Sequence, residues 1–211
     1  MDVRMFTVGP VQENCFLFRR EESDRTLIVD PGDDAAKILG AVEQIGLTVE
    51  AILVTHCHFD HIGAVAPVAK ATGAPVYISE IEAPVLADIM RWVPPGFGPF
   101  ESYQAEHLLK GGERLELAGF EIDVLFTPGH SPGHLTYSVP AEQAIFSGDV
   151  LFQSSVGRTD LPGGDWGTLL SSIGRLVETL PAETIVYPGH MGITTLGVER
   201  QTNPFLAELT A

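Results

Sequence analysis

The chain of 211 residues is long enough to bury a sizeable core, and its 45% hydrophobic content is typical of a globular protein. Its 28 acidic residues outnumber the 12 basic ones, and the resulting formal net charge of −16 disfavours a nucleic-acid binder. No apolar run is long enough to cross a bilayer, no secretory signal opens the chain, and two cysteines make no disulfide framework, so we expect a cytoplasmic protein without a membrane partner.

The first half of the chain alternates between short strands and helices. Apolar residues recur at helical spacing from 34 to 45, and Gly46 and Gly73 are typical residues for ending a helix. The irregular, aromatic-rich segment 92–113 is typical of a loop that covers a site. The predicted strands are 3–8, 15–19, 26–29, 51–54 and 76–78, and the predicted helices are 34–45, 62–72 and 80–91.

The second half repeats this alternation. The predicted strands are 114–117, 121–127, 136–139, 144–147 and 184–187, and the predicted helices are 166–180 and a short one from residue 198. No linker or low-complexity segment divides the chain, so we expect a single domain over residues 1–211. These elements predict a layered α/β fold in which two sheets pack together and the helices lie on the outside.

Metal-ligand side chains follow the predicted strand 51–54. His56 and His58 are two residues apart at an extended strand end, where side chains alternate, so they can point the same way. Asp60 and His61 lie at the turn into the next helix and must point elsewhere. Imidazole and carboxylate suit a borderline divalent ion, with zinc expected first and iron or manganese also accepted.

Three more ligand-type side chains follow strands later in the chain, namely His130, Asp149 and His190. A site for two metal ions needs about three protein ligands per ion and a bridging carboxylate. The expected ligand sets are His56, His58 and His130 for one ion, Asp60, His61 and His190 for the other, and Asp149 between them. Asp60 and Asp149 are the expected catalytic residues among these, since a carboxylate also orients the attacking hydroxide.

The segments THCHFDHIG, TPGHSPGH, SGD and YPGH resemble the signature of the metallo-β-lactamase fold superfamily, and within it the glyoxalase II (hydroxyacylglutathione hydrolase) branch. The resemblance covers nearly the whole chain, including TVGPVQENCFLF, VDPGDD and SVGRTDLPGGD. It implies an αββα sandwich with two metal ions at one edge of the sheets. It also implies that a hydroxide bridging the ions attacks the carbonyl of an acyl thioester such as S-lactoylglutathione.

Two further residues near the ligands have two interpretations each, and two other residues have one. His134 is expected to position a ligand, and a plain packed histidine is the alternative. Asp30 either accepts a hydrogen bond from a ligand imidazole or caps the VDPGDD turn. Cys57 is expected to pack rather than to bind metal, and His107 is expected to be a solvated loop residue.

The resemblance is weaker where the thiol carrier would bind. Arg158 stands where glyoxalase II enzymes have a lysine that contacts the thiol tripeptide, and an ion pair with Asp160 is the alternative role. Gly192 replaces a family tyrosine, and the chain ends about 20 residues after His190, without the helical extension of that branch. The expected substrate is therefore a small-molecule thioester, and the sequence does not specify whether its thiol part is glutathione.

The alternative function is that of a persulfide dioxygenase, which has the same fold and uses one non-heme iron. Its ligands would correspond to His56, His130 and Asp149. The complete second ligand set favours hydrolysis. A nuclease of the superfamily is disfavoured by the net charge of −16, and a non-catalytic relative by the presence of all seven ligand positions.

Overall fold

The computed structural model describes residues 1–209, which form two compact units. The first unit comprises residues 1–110 and 116–120, and the second comprises 111–115 and the chain from 121 onward. The single domain expected over residues 1–211 stays a prediction. Within the described residues, no helix is long and apolar enough to cross a membrane.

The first unit is built on a mixed sheet whose strands follow chain order from β1 to β6. The strands are β1 (Asp2–Val8), β2 (Glu13–Arg19), β3 (Arg25–Val29), β4 (Thr48–Leu53), β5 (Val76–Ser79) and β6 (His107–Leu109). The helices are α1 (Ala35–Ile45), α2 (Phe59–Ile62), α3 (Val65–Thr72) and α4 (Ala83–Ala87), followed by a 3₁₀ turn at Ile89–Arg91. Strands β1 to β3 are antiparallel, whereas β3 to β6 are parallel.

The parallel pairing of β3 with β4 decides where the polar residues of this unit lie. Val29 pairs with Leu53 at the carboxyl ends of the two strands. The residues that follow, Asp30 on one strand and Thr55 and His56 on the other, therefore leave the sheet at the same edge.

An apolar core holds this edge in place. Ile28 and Ile52 of the sheet and Ile38 of α1 are fully buried in one cluster. Each such side chain contributes roughly 1.5–3 kcal/mol through burial. Gly46 and Gly73 adopt the left-handed conformation at the ends of α1 and α3, as predicted.

The second unit contains a mixed sheet in the order β14-β13-β10-β9-β8-β7. The strands of the sheet are β7 (Arg114–Leu117), β8 (Phe120–Phe126), β9 (Leu135–Val139), β10 (Ala144–Gly148), β13 (Ile185–Pro188) and β14 (Thr194–Thr195), and a separate hairpin joins β11 (Leu151–Phe152) to β12 (Ser155–Val156). The helices are α5 (Trp166–Thr179) and α6 (Leu196–Thr202), with 3₁₀ turns at Pro140–Glu142 and Pro204–Leu209. Because β10 and β13 are parallel, Asp149 and His190 follow neighbouring strand ends.

Helix α5 completes the core of the second unit. It begins at Trp166 because the Asp165 side chain accepts a hydrogen bond of 2.7 Å from the Thr168 amide. Leu169 and Ile173 of the helix are fully buried in a cluster with Val186 of the sheet. Helix α5 thus packs against the sheet whose strands β10 and β13 precede Asp149 and His190.

Three sequence-based expectations about the first unit are wrong in detail. The expected helix 62–72 begins only at Val65, because α2 ends at Ile62 and the Ala64 amide donates to the Pro31 carbonyl at 3.0 Å rather than continuing the helix. The expected helix 80–91 is short and continues as a 3₁₀ turn. His107 is exposed, as expected, but belongs to β6 and stacks on Tyr77 at 4.2 Å rather than lying in a loop.

Candidate metal centre

The loop after β4 brings two imidazoles together. His56 is fully buried, whereas His58, directly before α2, is partly exposed. The Nε2 of His56 lies 3.1 Å from the Nδ1 of His58. Two nitrogens that each bind one tetrahedral zinc at about 2.0–2.1 Å are separated by about 3.3 Å. The observed spacing therefore suits two ligands of one ion.

A second pair of donors comes from the single turn of α2. Asp60 and His61 are adjacent in sequence, and the Oδ2 of Asp60 lies 3.8 Å from the Nε2 of His61. The imidazole is fully buried, while the carboxylate is partly exposed. The mixed nitrogen and oxygen donor set is one that borderline divalent ions prefer.

Asp30 orients two of these imidazoles. Its Oδ2 accepts a hydrogen bond of 3.0 Å from His61 Nδ1 and one of 2.6 Å from the Thr55 hydroxyl, and its Oδ1 accepts one of 2.7 Å from the Thr55 amide. The Thr55 hydroxyl in turn lies 3.1 Å from the Nδ1 of His56. A proton on each Nδ1 leaves Nε2 as the lone-pair nitrogen, which is the arrangement usual for metal-binding histidines.

Asp30 also lies close enough to be a ligand itself. Asp30, His56 and His61 each offer one donor atom, and these atoms lie within 4.8 Å of one another. Because the carboxylate accepts three hydrogen bonds from its neighbours, we interpret Asp30 as the residue that orients the imidazoles. Of its two sequence-based interpretations, the geometry favours the contact with an imidazole.

Two buried carboxylates near this loop were missed by the sequence analysis. The Oε2 of Glu82 accepts a hydrogen bond of 3.1 Å from the amide of Cys57, which lies between the two histidines of the loop. The Oε1 of Glu13 lies 3.7 Å from the Nδ1 of His61. Both residues lie far from the motif in sequence, so no local pattern indicates them. The Cys57 side chain packs into the core, and burial raises the pKa of its thiol.

Three further donors meet in the second unit. Asp149 follows β10, and its Oδ2 lies 3.5 Å from His130 Nε2 and 3.6 Å from His190 Nε2. His130 and Asp149 are buried, and His190 is partly exposed. One carboxylate oxygen within reach of two imidazoles is the geometry expected of a shared ligand.

Hydrogen bonds also orient the donors of the second unit. His130 Nδ1 donates to the Arg158 backbone carbonyl at 2.7 Å, which leaves its Nε2 towards Asp149. The Asp149 amide donates to the Nε2 of His134 at 3.1 Å, so the proton of that ring is on Nδ1, 3.1 Å from the Thr127 hydroxyl. His134 thus contacts the backbone of a candidate ligand, which is the contact expected of a positioning residue.

Gly157 is a further residue that the sequence analysis did not single out. A Cβ at this position would overlap the backbone oxygen of Asp149 and lie 3.0 Å from the Nδ1 of His130. Only glycine lets the chain pass this close to both candidate ligands. Gly157 lies in the segment SVGRTD, which is part of the family resemblance, but no local sequence pattern indicates that this glycine contacts candidate ligands.

The Arg158 side chain forms the ion pair that was its alternative role. Its Nε and Nη2 donate to the two carboxylate oxygens of Asp160 at 2.6 and 2.7 Å. Both side chains are largely exposed, so the pair adds little to the stability of the fold. The hydrogen bonds from Arg158 lower the pKa of Asp160 from 3.8 to about 2.

This lowered pKa gives a prediction for Asp160→Asn. A carboxylate with a depressed native pKa stabilises the fold above its unfolded pKa near 3.8 and loses that contribution as the pH falls through about 2. We expect the variant to melt slightly below the wild type at pH 6–8, and the gap in Tm to shrink below about pH 4. Thermal melts at matched low salt measure this gap. A gap that grows towards low pH would contradict the assignment.

Comparison with known sequences places this chain in one superfamily. A model of the metallo-beta-lactamase superfamily matches residues 8–190. The chain is 42% identical over 211 residues to the probable metallo-hydrolase YqgX of Bacillus subtilis, with 98% of each chain covered. It is 34% identical over 209 residues to the hydroxyacylglutathione hydrolase GloC of Haemophilus influenzae, again with 98% of each chain covered.

Solved structures show the same fold. The BLEG-1 B3 metallo-beta-lactamase matches with a TM-score of 0.92 at 41% identity, over 98% of this chain and 100% of that one. TTHA1623, crystallised in a di-iron-bound form, matches with a TM-score of 0.79 at 43% identity, over 96% of this chain and 100% of that one. The predicted α/β fold class, αββα of the metallo-β-lactamase type, is confirmed, and the chain belongs to the metallo-β-lactamase superfamily.

Proposed function

We propose that this protein is a metal-dependent hydrolase of acyl thioesters. The observation that carries the proposal is the common orientation of the candidate ligands. His61 and His130 each donate from Nδ1 to a fixed oxygen, which leaves Nε2 3.8 Å and 3.5 Å from an aspartate oxygen. The relative named a hydroxyacylglutathione hydrolase supports the choice of a thioester.

The ligand sets that we propose are those of the sequence analysis. One ion takes His56, His58 and His130, the other takes Asp60, His61 and His190, and Asp149 serves both. When bound, such ions would polarise a carbonyl and lower the pKa of water towards neutrality. The donor chemistry suits zinc first, and the di-iron form of TTHA1623 supports iron as an alternative metal.

The residues of the chain have distinct roles in this proposal. Asp30 and Thr55 hold the ligand imidazoles in one tautomer, and His134 fixes the backbone of Asp149. Asp60 is partly exposed, so one carboxylate oxygen can orient the attacking water. The attack needs no serine or cysteine nucleophile. The substrate is a small molecule, and we propose a cytoplasmic location for the enzyme.

The second candidate is a mononuclear non-heme iron persulfide dioxygenase. The contact between His130 and Asp149 favours it, because the resemblance assigns both residues to the iron of those enzymes. The contact between Asp60 and His61 favours the hydrolase, since a mononuclear site has no use for these donors.

One experiment separates the two candidates. The purified protein is assayed with S-lactoylglutathione, other acyl thioesters and glutathione persulfide, while oxygen uptake and metal content are measured. We expect thioester hydrolysis without oxygen uptake, and two metal ions per chain. One iron per chain together with oxygen consumption would replace the proposal with the dioxygenase.

Arg158→Ala tests whether this side chain anchors the substrate. If it does, we expect KM for S-lactoylglutathione to rise several-fold with kcat nearly unchanged. Arg114→Ala is the matched control, because Arg114 forms the same type of exposed pair with Asp123. An unchanged KM would leave Arg158 with only its ion pair to Asp160.

A further inference from the structure

A cavity of about 420 Å³ lies in the first unit, beside the helix that carries Asp60 and His61. Its wall includes Pro10, Asp33, Ala35, Pro67, Phe97 and Phe100. Gly63 and Ala64, which directly follow α2, also line it. The volume lies within the range of small-molecule sites, roughly 300–1,000 Å³.

Aromatic contacts fix the cavity wall to the candidate ligands. Phe59 stands between His58 and Asp60, and its ring lies 4.6 Å from that of Phe97 and 6.3 Å from that of Phe100. These are ordinary distances for interacting aromatic rings. The segment 96–100 is therefore held against the residue that separates two candidate ligands.

Glycines allow the chain to pack closely against α2 at the edge of the cavity. A Cβ at Gly63 would overlap the Gly32 backbone oxygen and lie 2.7 Å from the Phe100 ring. A Cβ at Gly32 would overlap the Asp60 backbone oxygen. The cavity wall and the ligand-bearing turn are thus in direct backbone contact.

The chemistry of the wall defines what fits inside. The side chains of the wall other than Asp33 are apolar, while polar atoms contribute a similar share of the lined surface, so the wall suits an uncharged group with apolar character. The carboxylate of Asp33 places negative charge in the same wall, and it repels a carboxylate such as those of glutathione.

Resting on the thioester hydrolase proposed above, we propose that this cavity binds an uncharged apolar group next to the thioester bond. The site then prefers thioesters with an aryl or branched alkyl group over S-lactoylglutathione. The apolar group is either the acyl part or the thiol part of the substrate, and both are uncharged.

Substrate pairs and a cavity-filling variant test this proposal. The probes are a phenylacetyl thioester of N-acetylcysteamine, with the ring on the acyl side, and a lactoyl thioester of benzyl mercaptan, with the ring on the thiol side. S-lactoyl-N-acetylcysteamine is the reference. Ala35→Phe fills the cavity, whereas Ala36→Phe adds the same ring at an exposed neighbour.

We expect Ala35→Phe to lower kcat/KM for at least one aryl thioester tenfold or more, since single methylenes in apolar pockets change rates about 10–200-fold. The reference substrate should change less than twofold, and Ala36→Phe should change neither. The aryl thioester whose kcat/KM falls shows whether the acyl part or the thiol part of the substrate occupies the cavity. An equal loss on all three substrates, or no loss, would overturn the proposal.

Two further measurements keep the test decisive. If Ala35→Phe does not fold, Phe97→Ala replaces it, with the same selective loss expected and an unselective loss contradicting the proposal. Calorimetric titration with S-benzyl-N-acetylcysteamine, a thioether that cannot be hydrolysed, reports binding without turnover. If the wild type hydrolyses no thioester but binds this thioether, and Ala35→Phe abolishes binding, the hydrolase proposal fails and the cavity assignment stands. No binding by the wild type would overturn the cavity assignment.

Discussion

Replacing His58 with alanine should reduce thioester hydrolysis by at least about a thousandfold, because the reaction depends on metal-activated water. His58 is partly exposed, and its Nδ1 lies 3.1 Å from His56 Nε2, so its loss removes a metal donor rather than core packing. Asp149→Ala should have the same effect, because its carboxylate lies within 3.6 Å of two imidazoles. The measurement is kcat/KM together with metal content, and circular dichroism verifies the fold.

The control for these variants is His107→Ala. His107 is an exposed histidine that stacks on Tyr77 and belongs to no expected ligand set. Its loss should leave kcat/KM and metal content within twofold of the wild type. Wild-type turnover in His58→Ala or Asp149→Ala would remove these residues from the mechanism.

Asp30 gives the second large expected effect, and it acts on stability as well as on metal affinity. The carboxylate is buried and accepts three hydrogen bonds, from the amide and hydroxyl of Thr55 and from His61. Asp30→Ala leaves buried donors without their acceptor, at about 1–3 kcal/mol for each group. We expect the free energy of unfolding of the metal-free protein to fall by roughly 3–5 kcal/mol.

Asp30→Asn separates the two effects. The amide keeps the shape of the side chain but has one acceptor oxygen, so it cannot fix both Thr55 and His61 in the same way. We expect metal affinity to fall about 10–100-fold, measured by competition with a chelator. Asp34→Asn, at an exposed carboxylate of the same turn, is the matched control. Unchanged metal affinity in Asp30→Asn would show that Asp30 only supports the fold.

The positions of the candidate ligands could be predicted because strand ends are visible in the sequence. The apolar run before Thr55 predicts a buried strand, and the observed strand β4 (Thr48–Leu53) ends at the expected edge. Gly46 likewise marks the end of α1 through its tolerance of the left-handed conformation. A buried strand requires apolar residues, and a left-handed helix end favours glycine. In both cases the residues that the fold requires are the ones that a local sequence pattern already indicates.

Other features depend on contacts between distant residues, and no local pattern indicates them. Glu82 lies in the predicted helix 80–91, yet its carboxylate is buried and accepts a hydrogen bond from the Cys57 amide. Strand β6 has only three residues, and its pairing with β5 rather than its own composition makes it a strand. Gly157 is needed because two candidate ligands lie against it, and those ligands are distant in sequence.

The most direct test of the central claim is the stoichiometry of divalent metal binding. Metal-free protein is dialysed to equilibrium against zinc, and bound zinc is measured by elemental analysis in the wild type and in His190→Ala. We predict two ions per chain in the wild type and fewer in the variant, because His190 completes only one ligand set. A wild type that binds no ion, or a variant that binds as many as the wild type, would contradict the account.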